Sequence, residues 1–284
     1  MSRRQALRKY KSYLMQLLMI FISITAVTPL FSIFYTAVSR GGRTLLEAGL
    51  SFITDLPPTP LSTRVGGIAP ALVGSFLATL LAIVISVPVT FFIAFLVTEF
   101  PNTIFSKSSE VFIRSFSGIP SIIVSMFVYS AVVIRMGTQS LLAGSIALSI
   151  VTLPYAYVYL TSALRSVPET IREAAISLGM NRLKALRYVY VGVSRRYILT
   201  GILVSYVRAF GDTAPLLFTI GFLMNSVFAG LLQPSNALPI LIFVYALSPY
   251  EIFHKVAWGA TLLLIIIYLV LFLVSRSLLR GVKL

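Results

Sequence analysis

Six stretches of this chain, residues 12–39, 65–98, 115–134, 136–164, 213–250 and 256–275, contain no Asp, Glu, Lys or Arg. A helix needs about 20 mostly apolar residues to cross about 30 Å of hydrocarbon, and every run reaches that length. Buried helices of a water-soluble protein rarely stay uncharged for so long. Only 11% of the 284 residues are charged, where a soluble domain carries roughly 25%. A water-facing surface cannot be built from so few charges, and the mean hydropathy of +0.95 agrees. The chain is therefore read as all-α and polytopic, with lipid as its solvent.

The formal net charge of +15 suggests nucleic acid only if its distribution is ignored. Segments retained in the cytoplasm carry an excess of Lys and Arg. Arg3, Arg4, Arg8, Lys9 and Lys11 crowd the N-terminus, and Arg276, Arg280 and Lys283 the C-terminus. The densest basic loop holds Arg165, Arg172, Arg182, Lys184, Arg187, Arg195 and Arg196. The connections between these regions hold only Arg40, Arg43 and Arg64, then Arg135, then Lys255. This asymmetry places both termini and the basic loop in the cytoplasm of a multi-pass cell-membrane protein, with no nucleic-acid partner.

The runs resolve into six expected helices, near 13–37, 68–97, 112–134, 138–163, 197–222 and 254–277. The first is too long for a signal-peptide core of about 7–15 residues, so it is read as a retained span. Gly41-Gly42, Pro57-Pro58 and Pro60 favour turns in the connection at 38–67. Residues 223–250, apolar but broken by Pro234, Pro239 and Pro249, read as an external segment near the surface, with room for a short helix. The expected organisation is an N-terminal span with its loop at 1–67 and a transmembrane domain at 68–284.

No catalytic constellation presents itself. The chain has no cysteine, so thiolate metal sites, disulfides and cysteine nucleophiles are excluded. His254 is the one histidine. A P-loop of the form GxxxxGK[ST] and zinc-ligand spacings are absent from the sequence. The chain reads as a non-enzyme that binds no cofactor or metal itself, and any energy source must be supplied by another subunit.

The basic loop, about 165–192, is the most informative polar stretch. Pro168 suits a helix start, where its missing N–H is harmless. Glu169 and Glu173 favour the first turns through the helix dipole. Ala174, Ala175 and Leu178 form an apolar patch, and Gly179 ends the helix. From the residues alone, two readings of this helix stand: it docks into a groove on another protein, or it lies on lipid headgroups. Glu173-Ala174-Ala175, three residues and Gly179 resemble the EAA motif of ABC importer permeases. Val189, Tyr190, Val191 and Gly192 then stand where that family continues, with Gly192 replacing a proline. The resemblance implies a coupling helix seated in a cytoplasmic ATPase, with Glu173, Ala174, Ala175 and Gly179 as coupling residues.

Arg208 lies inside the fifth expected helix, about 11 residues and so about 16 Å deep. An arginine near the bilayer centre costs about 2.5–3.5 kcal/mol on insertion scales and usually faces a cavity or partner. Asp212, four residues on, would share its helix face. The stretch Arg208-Ala-Phe-Gly-Asp-Thr-Ala-Pro-Leu-Leu-Phe-Thr219 resembles the PstA-type permeases of phosphate importers, with Asp212 where the family has Glu. Gly66-Gly-Ile-Ala-Pro70 and Ser117-Gly-Ile-Pro-Ser121 are similar to segments of the same family, and the likeness runs from about 65 to 280.

The resemblance implies the type I (MetI-like) permease fold with six transmembrane helices. It also implies a phosphate pathway at Arg208, Asp212, Gly211 and Thr213. The implied partners are a PstC-like second permease, a PstB-like ATPase dimer that uses the ATP, and a PstS-like extracytoplasmic phosphate-binding protein. Arg208 offers the planar donor fork that suits phosphate oxygens; the alternative role for the pair is a structural ion pair that stiffens the helix. A permease for molybdate or sulfate is the nearest alternative function. An ion-coupled secondary transporter would need several intramembrane carboxylates, and Asp212 is one. A membrane scaffold without transport is a third.

Overall fold

The computed structural model describes residues 3–279, with side chains described for 11–277. Arg280 and Lys283, and the side chains of Arg3, Arg4, Arg8 and Lys9, lie outside the described residues. The described chain is helical throughout, without a strand. In order, the helices are α1 (Arg3–Thr36), α2 (Gly42–Ala48), α3 (Ser51–Thr54), α4 (Ala69–Glu99), α5 (Ile104–Ser115), α6 (Ser121–Val128) and α7 (Ile134–Met136). They continue with α8 (Leu141–Arg165), α9 (Glu169–Ser177), α10 (Arg182–Ala185), α11 (Val191–Phe210), α12 (Leu238–Ala246) and α13 (Glu251–Leu279).

Helices α4 and α8 form the spine. Both bury small residues: Ala71, Gly74, Ser75, Ala78, Thr79 and Ala82 on α4, and Ala143, Gly144, Ser145, Ala147 and Ser149 on α8. In lipid there is no hydrophobic drive between helices, so close backbone approach over small residues does the packing. Helix α11 lies against α8, where Gly201 meets the Tyr159 side chain; a Cβ at 201 would come within 2.9 Å of Tyr159 Cβ. Helix α13 and the aromatic residues Phe210, Tyr245 and Phe253 close a second core, with the Tyr245 and Phe253 rings stacked at 4.2 Å.

Among the described residues, four helices are long and apolar enough to cross a membrane: Lys11–Ala48, Ala69–Glu99, Leu141–Arg165 and Glu251–Ser277. A bent pair, Ile104–Gly118 and Ser121–Met136, makes a fifth if it counts as one span. The fifth expected span, now α11, is 20 residues long but carries Arg195, Arg196 and Arg208, so length and apolarity alone do not give six.

Four expectations are corrected. Helix α1 runs on through a π-helical turn at Ala37–Gly41 into α2, where turns were expected. Gly41 serves close packing: a Cβ there would lie 2.5 Å from the Trp258 carbonyl oxygen of α13. The single helix expected at 112–134 is broken by a bend of 103°, because Pro120 disfavours helical geometry at Ile119, which is extended. The helix expected to reach 222 ends at Phe210. Pro215 has no N–H to donate back to the Gly211 carbonyl, and the chain makes only a short 3-10 turn at Ala214–Leu216.

The fourth correction concerns 223–250: the short helix expected there is present, but the segment packs into the bundle. Helix α12 within it buries Leu238, Pro239, Ile240, Leu241 and Tyr245. The Leu238 amide donates to Ser75 Oγ at 2.7 Å, and Gly74 leaves room for the Asn236 carbonyl, which a Cβ would approach to 2.0 Å. With nine residues, α12 falls well short of the about 20 needed to cross. The non-helical backbone before it is pinned to the start of α8: Ser140 N donates to Thr219 O at 3.0 Å and Leu142 N to Leu231 O at 2.9 Å. Irregular backbone at membrane depth survives only where protein or a cavity satisfies it.

Candidate functional site

Arg208 occupies the last turn of α11, where the helix dipole favours a cation. The chain then breaks: Asp212 N donates to Ala209 O at 3.2 Å, and Asp212 is no longer helical. The spacing that would put Arg208 and Asp212 on one helix face therefore does not operate. Among the described residues, the ion pairs within 4 Å are Arg114–Glu110, Arg172–Glu99 and Arg172–Glu169, and not Arg208–Asp212. The Arg208 guanidinium instead stacks on Tyr155 of α8, with Cζ 3.4 Å from the ring centroid. The sequence reading missed Tyr155, since the pairing of two helices leaves no periodic trace.

Arg208 and Asp212 line a small cavity of about 120 Å³ together with Ser117, Ser121, Pro154 and Tyr155. The bend after Gly118 thus brings the Ser117–Ser121 stretch against the α11 terminus, although more than 80 residues separate them in the chain. Pro154 cannot donate to the Ile150 carbonyl, and both residues face this cavity. Of the other two pathway candidates, Gly211 and Thr213 lie outside its lining. Gly211 is instead a packing residue: an added Cβ would fall 1.4 Å from the Tyr268 hydroxyl.

The loop at 165–192 folds as a helix, a tight stop and a return. Helix α9 begins after Pro168, in extended geometry, and ends at Leu178. Gly179 takes φ +77°, a conformation glycine adopts without steric cost. Its N–H donates to Ile176 O at 2.9 Å, and Met180 N donates to Ala175 O at 3.2 Å. These two bonds make a Schellman stop. Asn181 then caps α10, its side chain accepting from Lys184 N at 2.8 Å.

Ala175 is buried, while Glu173, Ala174 and Gly179 are exposed. They share the surface with Leu178, Leu183 and Tyr188, exposed at 78%, 66% and 68%. Exposed apolar residues grouped beside a helix mark an interaction face more readily than isolated ones do. A cleft of about 1200 Å³ opens beside α9, lined by Glu169, Arg172, Glu173 and Ile176 among others.

Arg172 fastens this loop to the bundle. It donates to the Glu99 carboxylate at the end of α4, to the carbonyls of Leu164 and Val167, and stacks over Tyr190 with Cζ 4.7 Å from the ring centroid. Burial, and then the Glu99 carboxylate, push the Tyr190 phenol up from its ordinary range, so it stays neutral. The sequence reading placed Arg172 in the basic loop and gave it no partner. A signal was available: a carboxylate in the last turn of a helix opposes the dipole and so calls for a cation.

A helical membrane bundle without an ATP-binding motif, bearing an exposed Ala-rich loop helix and a cation at a broken span, is the architecture of a transporter's membrane subunit. The chain belongs to the family described as binding-protein-dependent transport system inner membrane component, whose model matches residues 86–283. Among similar proteins is the probable phosphate transport system permease protein PstA of Methanocaldococcus jannaschii, 36% identical over 92% of this chain and 90% of that one. Another is PstA of Xylella fastidiosa, 36% identical over 87% of this chain and 85% of its own length. The crystal structure of the MetNI methionine ABC transporter, inward facing, superposes with a TM-score of 0.59 over 76% of this chain and 94% of that chain, at 16% identity. That likeness supports the MetI-like permease fold.

Proposed function

We propose that this chain is one of two membrane subunits of an ATP-driven importer of inorganic phosphate, forming half of the pathway. The observation that carries it is the small cavity at the break after α11, where the Arg208 guanidinium has no carboxylate within ion-pair distance among the described residues. A cation placed so is available to a passing anion, and its donor fork matches phosphate oxygens. Asp212 in the same lining accepts a hydrogen bond from a protonated oxyanion and repels a fully ionised one. The names of the similar PstA proteins point to the same cargo.

In this reading α9 is the coupling helix. It docks into a cytoplasmic ATPase dimer, which binds and hydrolyses the ATP, through Glu173, Ala174 and Gly179, with Ala175 packed inward. A second, similar permease supplies the other half of the pathway, and an extracytoplasmic binding protein delivers phosphate. The basic loop and both termini face the cytoplasm, as the distribution of Lys and Arg requires.

The test is phosphate uptake by cells or proteoliposomes carrying the whole transporter. Arg208→Ala should abolish uptake while the subunits still co-purify, and Arg208→Lys should be strongly impaired because it keeps the charge and loses the fork. Intact uptake in Arg208→Ala would sink the site. Stronger inhibition of solute entry by sulfate or molybdate than by phosphate would sink the cargo.

A further inference from the structure

The cavity beneath Arg208 is small by the standard of ligand sites, which run to about 300–1000 Å³. Its volume of about 120 Å³ corresponds to about four water molecules at roughly 30 Å³ each, which suits a single tetrahedral oxyanion. Its walls differ chemically. Arg208 and Asp212 bring charge from the α11 terminus, Tyr155 brings an aromatic face from α8, and Ser117 and Ser121 bring hydroxyls from either side of the bend at Pro120. Only the first two were expected from the sequence.

We propose that Tyr155, Ser117 and Ser121 complete a one-anion subsite, in which the Tyr155 ring is the resting partner of Arg208 and the two serines are neutral donors to the anion. This rests on the phosphate reading above and adds the part that governs release. An importer's inner site must hold its cargo well enough to accept it and weakly enough to let it go. A carboxylate salt-bridged to Arg208 would compete too strongly. A bare guanidinium would hold the anion too long. An aromatic face is intermediate: cation–π attraction is weaker than a desolvated ion pair, and a ring adds no charge to repel the cargo. With the guanidinium 3.4 Å from the Tyr155 centroid, the anion and the ring draw on the same cation. The Ser117 hydroxyl rests on the Arg114 carbonyl at 2.6 Å and turns from it to meet the anion, since serine hydroxyls rotate to donate to whichever oxygen faces them, so the serines bind without fixing one orientation.

The chain has no cysteine, so Ser117→Cys or Ser121→Cys places a unique thiol of this subunit in the cavity wall. The purified whole transporter in nanodiscs is treated with N-ethylmaleimide, without ATP, over a range of inorganic phosphate, and alkylation of this subunit is followed by mass spectrometry. Phosphate should slow alkylation at both positions severalfold and leave Ser108→Cys, on the exposed side of α5, unaffected. Adding Tyr155→Leu should move half-protection to a lower phosphate concentration, on the order of threefold to tenfold. Tyr155→Phe, which keeps the ring, should protect at the concentration of the parent.

Unprotected thiols in a transporter that does take up phosphate would overturn the subsite and leave the cargo reading standing. A parent that takes up no phosphate would overturn the cargo reading itself. Equal behaviour of Tyr155→Leu and Tyr155→Phe, or a need for more phosphate with Tyr155→Leu, would overturn the competing role of the ring. Should one cysteine variant fail to co-purify with the ATPase, the other carries the measurement. Turnover at saturating phosphate in the cysteine-free chain repeats it independently, with Tyr155→Leu slowed by longer anion retention and restored by Tyr155→Phe.

Discussion

Arg172 of α9 and Glu99 at the C-terminal end of α4 form an ion pair almost out of solvent, with side chains 12% and 8% exposed. Breaking a buried pair by removing one partner typically costs about 3–5 kcal/mol, because the other charge is left uncompensated. Arg172→Ala should therefore lower the melting temperature of the detergent-solubilised subunit clearly, and Glu99→Gln should lower it less, since an amide oxygen still accepts a hydrogen bond. The pair also sets how rigidly α9 rides on α4, so ATP hydrolysis should continue while transport per ATP falls. The charge swap Arg172→Glu with Glu99→Arg should not restore coupling. Arg172 also donates to the carbonyls of Leu164 and Val167, and a glutamate cannot. Full rescue by the swap would mean that charge alone matters here.

Gly179 tests the stop of the same helix. Its φ of +77° costs an L-residue about 1–2 kcal/mol, yet a Cβ would meet nothing within 4 Å. Conformation and crowding are thus separated at this position. Gly179→Ala should weaken ATPase capture in pull-down by roughly tenfold if that strain is passed to the docked state. Gly179→Asn, which tolerates the left-handed region better, should bind closer to the parent. Identical losses in the two variants would show that side-chain bulk at the interface, and not backbone geometry, is what Gly179 avoids.

Helix ends at charged brackets were legible, and long-range pairings were not. Glu99 and Arg165 each close an uncharged run, and α4 and α8 end on them. Beyond Asp212 the chain is apolar through Leu216, Leu217 and Ile220, and apolarity alone extends the helix. The polypeptide breaks there because Pro215 withholds an N–H and α8 offers Thr219 a partner at Ser140. Gly41 and Gly42 looked like turn residues, yet Gly41 is small so that α13 can approach. Arg208 and Asp212 share a cavity lining but not the helix face expected of them, because spacing of four implies contact only within a helix. The Ser117–Ser121 stretch was noted as a resemblance, and its meeting with Arg208 follows from a bend that no periodicity announces.

Asp212 should govern which oxyanion passes. At neutral pH phosphate keeps a proton that can be donated to a carboxylate, and sulfate has none. A site that requires a donated hydrogen bond rejects an analogue lacking it, because a buried acceptor is left unpaired. Asp212→Asn supplies an amide N–H in place of part of that acceptor and removes the repulsion. Phosphate uptake should fall, and sulfate, inert against the parent, should become a competitive inhibitor. Uptake of labelled phosphate at rising sulfate reads this directly. No change in sulfate sensitivity would assign Asp212 to structure.

Gly211 and Tyr268 should behave as one unit. A Cβ at 211 would lie 1.4 Å from the Tyr268 hydroxyl and 2.6 Å from the ring carbon bearing it, far closer than a rotation of a few tenths of an ångström relieves. The backbone at 211 has φ −109°, open to any residue, so Gly211→Ala reads the contact alone. Overpacking of this kind costs about 1–3 kcal/mol and displaces what it touches, here the link between Arg208 and Asp212. Gly211→Ala should lower the melting temperature and most of the phosphate uptake together. Adding Tyr268→Phe should recover little, because the ring carbon remains too close, whereas Tyr268→Ala should restore stability in the double variant beyond that of Gly211→Ala alone. Melting curves of the parent, both single variants and the double close the cycle, and additive losses would mean that Gly211 is small for a reason other than Tyr268.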